Sequence, residues 1–324
     1  MPAHLFIGAG AGLVSAALFG SAVVSGALAG LILYLAPLPL CLAGLGWGRP
    51  AAGLGALVGT VLAILFLGPA PGLVYAASIA APSAVLVYLI LQSRTLPDPE
   101  NKAAQIIAWY PVGHLVAAAA IMGGLIATMV VLLLGPDMAR YQASVDQMMP
   151  VIHDAVGKDN DVWTPEVAEK LRAVLTQLLP AMMAVVWLTI GLLNIWLAGT
   201  IVRASGHAIR PWPDLHALEI PNAMVIAFAA SLVMWLLPGI PGLIGAAFAG
   251  AFLFAYLLQG LAVIHFYTLG MPFRTVLLAI VYLAILLLGW VAIIVAIAGL
   301  GEPLFGSRAR GAAAARSGDT GDGT

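Results

Sequence analysis

The chain has 324 residues, of which 62% are hydrophobic and only 8% are charged. A soluble protein carries about 25% charged residues, so water cannot be the main solvent of this chain. The 13 Lys and Arg residues nearly balance the 14 Asp and Glu residues, and they form no basic stripe of the kind that binds nucleic acid. Composition therefore predicts an all-α, polytopic protein of the lipid bilayer and excludes nucleic acid as a partner.

Long apolar segments without charge follow one another along the chain. A membrane helix needs about 20 such residues to cross about 30 Å of hydrocarbon. Nine segments qualify in length and composition: 5–20, 24–46, 51–67, 73–91, 108–134, 178–201, 222–237, 243–269 and 276–298. No charge separates the first two segments, and the first is short, so eight spans remain the alternative count.

The second segment contains two prolines, Pro37 and Pro39. Each removes a backbone hydrogen-bond donor from the helix interior. We therefore expect this span to be kinked or locally unwound. Irregular backbone at membrane depth must be covered by protein or must face a cavity.

Cations occupy alternate connections between the predicted spans, and this pattern predicts the topology. We expect the connections that carry them to face the cytoplasm, with the chain in the cell's inner membrane; these cations are Arg49, Arg94, Lys102, Arg203, Arg210 and Arg274. The long connection 135–176, in which acids outnumber bases, falls on the opposite side. The side of the C-terminal tail stays open, because nine spans would place its arginines outside.

The connection 135–176 contains two amphipathic patterns. Apolar residues recur at helical spacing after residue 137, which predicts that the fifth helix extends beyond the bilayer until Pro150 disturbs it. Thr164 is a suitable N-cap and Pro165 a suitable first residue for a second helix that leads into the sixth span. We expect an external helical hairpin with its turn at 153–163. Residues 1–300 then form one transmembrane domain, and 301–324 form a disordered polar tail.

Uncharged polar side chains inside the spans are few, and each is costly in hydrocarbon unless it is paired. They are the candidate solute-binding residues: His114, Asn194, Tyr256, Gln259 and His265. Hydrogen bonding between helices is the alternative role for Asn194 and Gln259, and contact with interfacial water is the alternative for the histidines.

Small residues at four-residue spacing form a stripe on the first helix, at Gly8, Gly12 and Ala16. Such a stripe allows close approach of another helix backbone. It can dock a partner subunit or pack within the same bundle.

Catalytic and metal motifs are missing from the sequence. It contains no His-Glu-x-x-His pair, no Gly-x-Ser-x-Gly elbow and no Gly-x-x-x-x-Gly-Lys phosphate loop. The single cysteine, Cys41, lies in an apolar run and has no second thiol with which to form a disulfide. We therefore expect no enzymatic activity, no resident metal and no cofactor.

Several short strings resemble the YybS-like family of predicted bacterial membrane proteins of unknown function. They are Tyr34-Leu-Ala-Pro37-Leu-Pro39-Leu with Gly46 and Gly48 after it, Gln259-Gly260-Leu-Ala-Val-Ile-His265-Phe, Tyr282-Leu, and Gly299-Leu-Gly-Glu302. That family is distantly similar to the substrate-binding subunits of energy-coupling-factor transporters. Those subunits capture vitamins or metal ions and dock on a coupling subunit with its ATPase module through small residues of their first helix. This chain departs from them in having more than six spans and an added hairpin.

The resemblance implies a solute-binding or transport-related membrane protein in which Gly8, Gly12 and Ala16 dock the coupling subunit. The alternative is a non-transporting scaffold that holds partners through its external hairpin and its small-residue helix faces.

Overall fold

The computed structural model describes residues 3–21, 27–98, 105–156 and 163–305. Of the described residues, 82% are helical, which confirms the prediction of an all-α polytopic protein. The helices are α1 (Ala3–Gly20), α2 (Ala27–Leu33), α3 (Pro37–Trp47), α4 (Arg49–Leu67), α5 (Pro69–Tyr75), α6 (Ala81–Ile90), α7 (Val112–Leu134), α8 (Met138–Val156), α9 (Pro165–Ala204), α10 (Ala223–Trp235), α11 (Ile240–Tyr267), α12 (Arg274–Leu288) and α13 (Trp290–Phe305). The first five residues of the predicted disordered tail, 301–305, belong to α13, so the prediction was wrong for them. The rest of that tail lies outside the described residues.

Seven helical segments of the described residues are long and apolar enough to cross a membrane, against the nine predicted. They contain α1, α2 with α3, α4, α5 with α6, α7, α9 and α11. The predicted seventh span is the 13-residue helix α10, which at 1.5 Å per residue measures only about 20 Å. The predicted ninth span is two helices, because the chain turns at Gly289, whose φ is +42°.

The second span is interrupted as predicted. Helix α2 ends at Leu33 and α3 begins at Pro37, with a turn at residues 34–36 between them. A second irregularity, which we did not predict, is the π-helix Ala76–Ala80 between α5 and α6.

Two β-strands lie between α6 and α7, where we expected an earlier start of the fifth span. Strand β1 (Ser93–Pro97) pairs antiparallel with β2 (Gln105–Trp109), and Ser93 lies opposite Trp109. The fifth span therefore begins at Val112. Residues 108 and 109, which were predicted to begin this span, belong to β2. A regular helix does not run from them through Pro111, because Pro111 has no N–H to donate.

The predicted helical hairpin is present as α8 and the first part of α9. Helix α8 is separate from α7 and continues through Pro150 to Val156, so the prediction that Pro150 ends it was wrong. Thr164 Oγ1 accepts a hydrogen bond from the Val167 N–H at 3.2 Å, which confirms the predicted N-cap. Residues 157–162 of the predicted turn lie outside the described residues.

The chain divides into two compact units, 1–122 with 186–213 and 123–185 with 214–324. In the first unit α4 packs against α1, α3, α5 and α6. Its core contains Ala16, Leu40, Ala63, Tyr75 and Ala80. In the second unit α11 packs against α10 and α13, and a second core contains Val131, Tyr141, Val145 and Leu243.

Candidate functional site

The interruption of the second span leaves two backbone carbonyls that side chains of other helices bind. Asn194 of α9 donates from Nδ2 to the Tyr34 carbonyl oxygen at 2.8 Å. Ser15 of α1 donates from Oγ to the Ala36 carbonyl oxygen at 2.6 Å. Tyr34 lies in the turn, where the Leu38 N–H donates to Leu35 and not to Tyr34, and Ala36 is the N-cap of α3. Protein side chains therefore replace water at this break, as a low-dielectric environment demands.

Asn194 is 3% exposed, and only one edge of its amide is used. Its Nδ2 donates both to Tyr34 and to the Ile190 carbonyl oxygen, each at 2.8 Å. Because both partners are acceptors, the nitrogen must face them, and this decides the orientation of the amide. Among the described residues, Oδ1 of Asn194 has no hydrogen-bond partner. The side chain thus presents a buried, unused acceptor beside the interrupted span.

The π-helix Ala76–Ala80 is stabilised in a similar way from α9. Trp187 donates from Nε1 to the Ser78 carbonyl oxygen at 2.8 Å. That carbonyl lies four residues before Pro82, which has no N–H to donate to it as a helical partner. Trp187 and Asn194 are seven residues apart, about two helical turns, so one stripe of α9 serves both irregularities. Pro82 was the sequence signal for this contact, but no motif identified Trp187.

A hydroxyl pair lies in the same unit and connects to the interruption. Tyr75 donates from its hydroxyl to Ser15 Oγ at 2.8 Å, and both side chains are fully buried. Gly59 leaves space for this hydroxyl, because a Cβ there would overlap it. The chain of bonds from Tyr75 through Ser15 ends on the Ala36 carbonyl. Neither residue was a sequence candidate, since a single Ser or Tyr in a span has no pattern.

The small-residue stripe of α1 is occupied within the chain. Gly8 packs on Ala51, and Gly12 packs between Gly55 and Gly59, so closely that a Cβ at either position would overlap backbone of α4. Ala16 is also buried. The structure thus favours packing within the bundle over a partner-docking surface for these three residues.

Gln259 connects two segments of the second unit and is fully buried. Its Oε1 accepts a hydrogen bond from the Ile220 N–H at 2.6 Å, and its Nε2 donates to the Gly299 carbonyl oxygen at 2.8 Å. Of its two proposed roles, the structure favours hydrogen bonding between segments. Tyr256, 1% exposed, has a hydroxyl without a partner among the described residues. Its ring packs against that of Phe228.

The two candidate histidines have different surroundings. His114 is exposed, and its ring contacts Tyr110 edge-on. His265 lies at the end of α11, where its Nε2 is 2.9 Å from the Tyr282 hydroxyl and its ring is near His216. Of the five candidates, His114 and Asn194 belong to the first unit and the other three to the second. Neither unit contains the complete set.

Metal ligands do not cluster in the described part of the chain. No group of three or more His, Cys, Asp or Glu side chains there is placed to hold a metal ion. Cys41 is buried without a disulfide.

The helical spans and their buried polar contacts define a multi-pass integral membrane protein. The chain matches a family model described as "Predicted membrane protein (DUF2232)" over residues 13–301. Since this match covers most of its length, the chain belongs to that family of membrane proteins of unknown function. No curated protein and no solved structure matches the chain.

Proposed function

We propose that the chain is a small-solute-binding membrane protein whose binding group is Asn194. The observation that carries the proposal is the unused Oδ1 acceptor of this buried side chain. A buried polar atom without a partner costs free energy, about 1–3 kcal/mol. A donor on a bound solute would recover this loss. The proposed activity is binding and contains no chemical step.

The surroundings of Asn194 indicate the class of solute. Residues 178–201 contain no charged side chain, and neither do residues 24–46, which surround the interruption. A charged solute would therefore enter without a counter-charge, at high desolvation cost. The unused group is an acceptor, so the solute must donate. We infer a small, neutral solute that carries an N–H or O–H group.

The resemblance to YybS-like proteins and to substrate-binding subunits of energy-coupling-factor transporters supports solute capture as the role. We do not propose that a coupling subunit docks on Gly8, Gly12 and Ala16, because α4 occupies the face that these residues form. If a coupling subunit with an ATPase module associates with this chain, it must use another surface. We therefore propose solute binding without assigning the energy source.

The test is a thermal-shift screen of the purified full chain against neutral vitamins, their precursors and small amides. A hit is then titrated into Asn194→Ala and into Trp187→Phe. The latter variant is the matched control, because it removes the other α9 side chain that binds a span carbonyl. We expect the affinity to fall in Asn194→Ala and to persist in Trp187→Phe. If no compound stabilises the protein, or if both variants lose affinity equally, the proposal is overturned. A non-transporting scaffold would give the first outcome, in which no compound stabilises the protein.

A further inference from the structure

Charged and ring nitrogens meet in the second unit, where the loop before α10 approaches the end of α11 and the start of α12. Arg274 Nη2 lies 3.4 Å from His216 Nε2 and 3.5 Å from His265 Nδ1. We call these three residues the basic cluster. His216 Nδ1 lies 3.0 Å from Asp214 Oδ1, and His265 Nε2 lies 2.9 Å from the Tyr282 hydroxyl.

The surroundings of the two imidazoles indicate their tautomers. A guanidinium only donates, so the ring nitrogens that face Arg274 are the acceptors in these contacts. His216 then carries its proton on Nδ1, toward Asp214, and His265 carries its proton on Nε2, toward Tyr282. Neither ring supplies negative charge to Arg274. The nearby carboxylate of Asp214 contacts the His216 ring.

The hydrogen-bonding capacity of Arg274 is poorly used. Its Nε is buried and has no partner among the described residues. Its two contacts through Nη2, at 3.4 and 3.5 Å, exceed the usual N–H···O range of about 2.7–3.2 Å. Nε and Nη2 form one edge of the guanidinium, and this edge matches two oxygens of an oxyanion. An anion would therefore replace two weak contacts and fill one empty donor.

We propose that the basic cluster binds a phosphate group. Phosphate presents several acceptor oxygens, so it can meet the Arg274 edge and both imidazoles at once. Arg274 supplies positive charge, and each imidazole can donate to the anion when its ring nitrogen on that side carries a proton. Asp214 opposes this charge but is exposed and already binds His216. The site lies in the second unit and does not depend on solute binding at Asn194.

The phosphate can come from free phosphate or from a lipid headgroup, and two measurements separate these sources. Inorganic phosphate is titrated calorimetrically into the full chain in a phosphate-free sugar detergent. In parallel, retention of phosphatidic acid is compared by native mass spectrometry with that of diacylglycerol, which has the same tails and no phosphate. Heat of binding with inorganic phosphate assigns a free anion. Selective retention of phosphatidic acid alone assigns a headgroup. No binding in either measurement overturns the proposal.

Variants then test whether the cluster is responsible. Arg274→Gln should weaken binding by about 10- to 100-fold, the effect expected for lost charge-assisted hydrogen bonds. Arg203→Gln, which changes an arginine that stacks on Trp212 in the first unit, should leave it unchanged. If Arg274→Gln does not fold, His265→Gln serves instead and should also weaken binding. Unchanged affinity in the folded variant overturns the proposal.

Discussion

The side-chain amide of Asn194 donates a hydrogen bond of 2.8 Å to the backbone carbonyl of Tyr34, 160 residues earlier in the chain. This bond joins α9 to the interruption of the second span, which ends where α3 begins at Pro37. It also turns Oδ1 of Asn194 away from any partner in the described residues. One contact thus stabilises irregular backbone and creates the acceptor on which solute binding is proposed.

Removing the amide of Asn194 should destabilise the fold. In Asn194→Ala the Tyr34 carbonyl loses its side-chain partner at a part-buried position, so we expect a loss of about 1–3 kcal/mol. The measurement is the free energy of unfolding in a detergent titration, followed by circular dichroism. Thr200→Ala is the control, because the Thr200 hydroxyl bonds to the Trp196 carbonyl of its own helix. An equal effect of the two substitutions would contradict the role of the amide.

Neighbouring glycines of α1 should respond in opposite ways to an added methyl group. Gly12→Ala places the methyl group against backbone atoms of α4, which cannot move aside, so we expect a loss of 2 kcal/mol or more, roughly as for overpacking. Gly10→Ala meets nothing within 4 Å and should be neutral or stabilise the helix by up to about 1 kcal/mol. The midpoint of thermal unfolding of both variants tests this. Similar midpoints would show that the stripe is not packed against α4.

Gln259 should contribute to stability through its two buried hydrogen bonds. Gln259→Ala leaves the Ile220 N–H and the Gly299 carbonyl without partners, and we expect a loss of about 2–5 kcal/mol. Gln177→Ala removes an exposed glutamine and should change little. Unfolding in a detergent titration compares the two. A stable Gln259→Ala protein would instead favour a solute-contact role for this side chain.

In the helical hairpin formed by α8 and the first part of α9, the pKa of Asp146 should depend on its ion pair with Arg172. Arg172 donates to Asp146 and holds the pKa of that carboxyl below its ordinary value. A lowered folded-state pKa adds stability above the unfolded pKa, and this contribution is lost as the pH falls through the folded pKa. Arg172→Gln should raise the pKa of Asp146, measured by carboxyl NMR titration. Arg140→Gln, whose arginine pairs with Asp137, should leave it unchanged.

Sequence rules that involve only neighbouring residues, such as helix interruption by proline and N-capping, predicted several local features. Pro37 and Pro39 predicted the interruption of the second span, and Thr164 with Pro165 predicted the start of α9. The same rules misjudged Gly289, because a single glycine inside an apolar run does not reveal the positive φ that ends α12. They also missed β1 and β2, because the last residues of β2, Ala108 and Trp109, resemble the start of a span.

Long-range contacts were beyond these rules. Trp187 and Ser78 are 109 residues apart, and Tyr75 and Ser15 are 60 apart. Asn194 could be singled out, since an amide in hydrocarbon needs a partner, but the partner itself could not. His216 was not a candidate at all, because it lies in a polar loop and gains interest only beside Arg274.

The sequence by itself determined that this protein belongs in a bilayer, roughly where most of its spans lie, and that Pro37 and Pro39 interrupt the second span. These follow from hydrophobicity and backbone chemistry, which act over one or two helical turns. The tertiary structure alone decided which carbonyls Asn194, Trp187 and Ser15 bind and which face of α1 is occupied. Those choices depend on how distant helices approach one another, and in an apolar chain nearly every helix face has similar hydrophobicity.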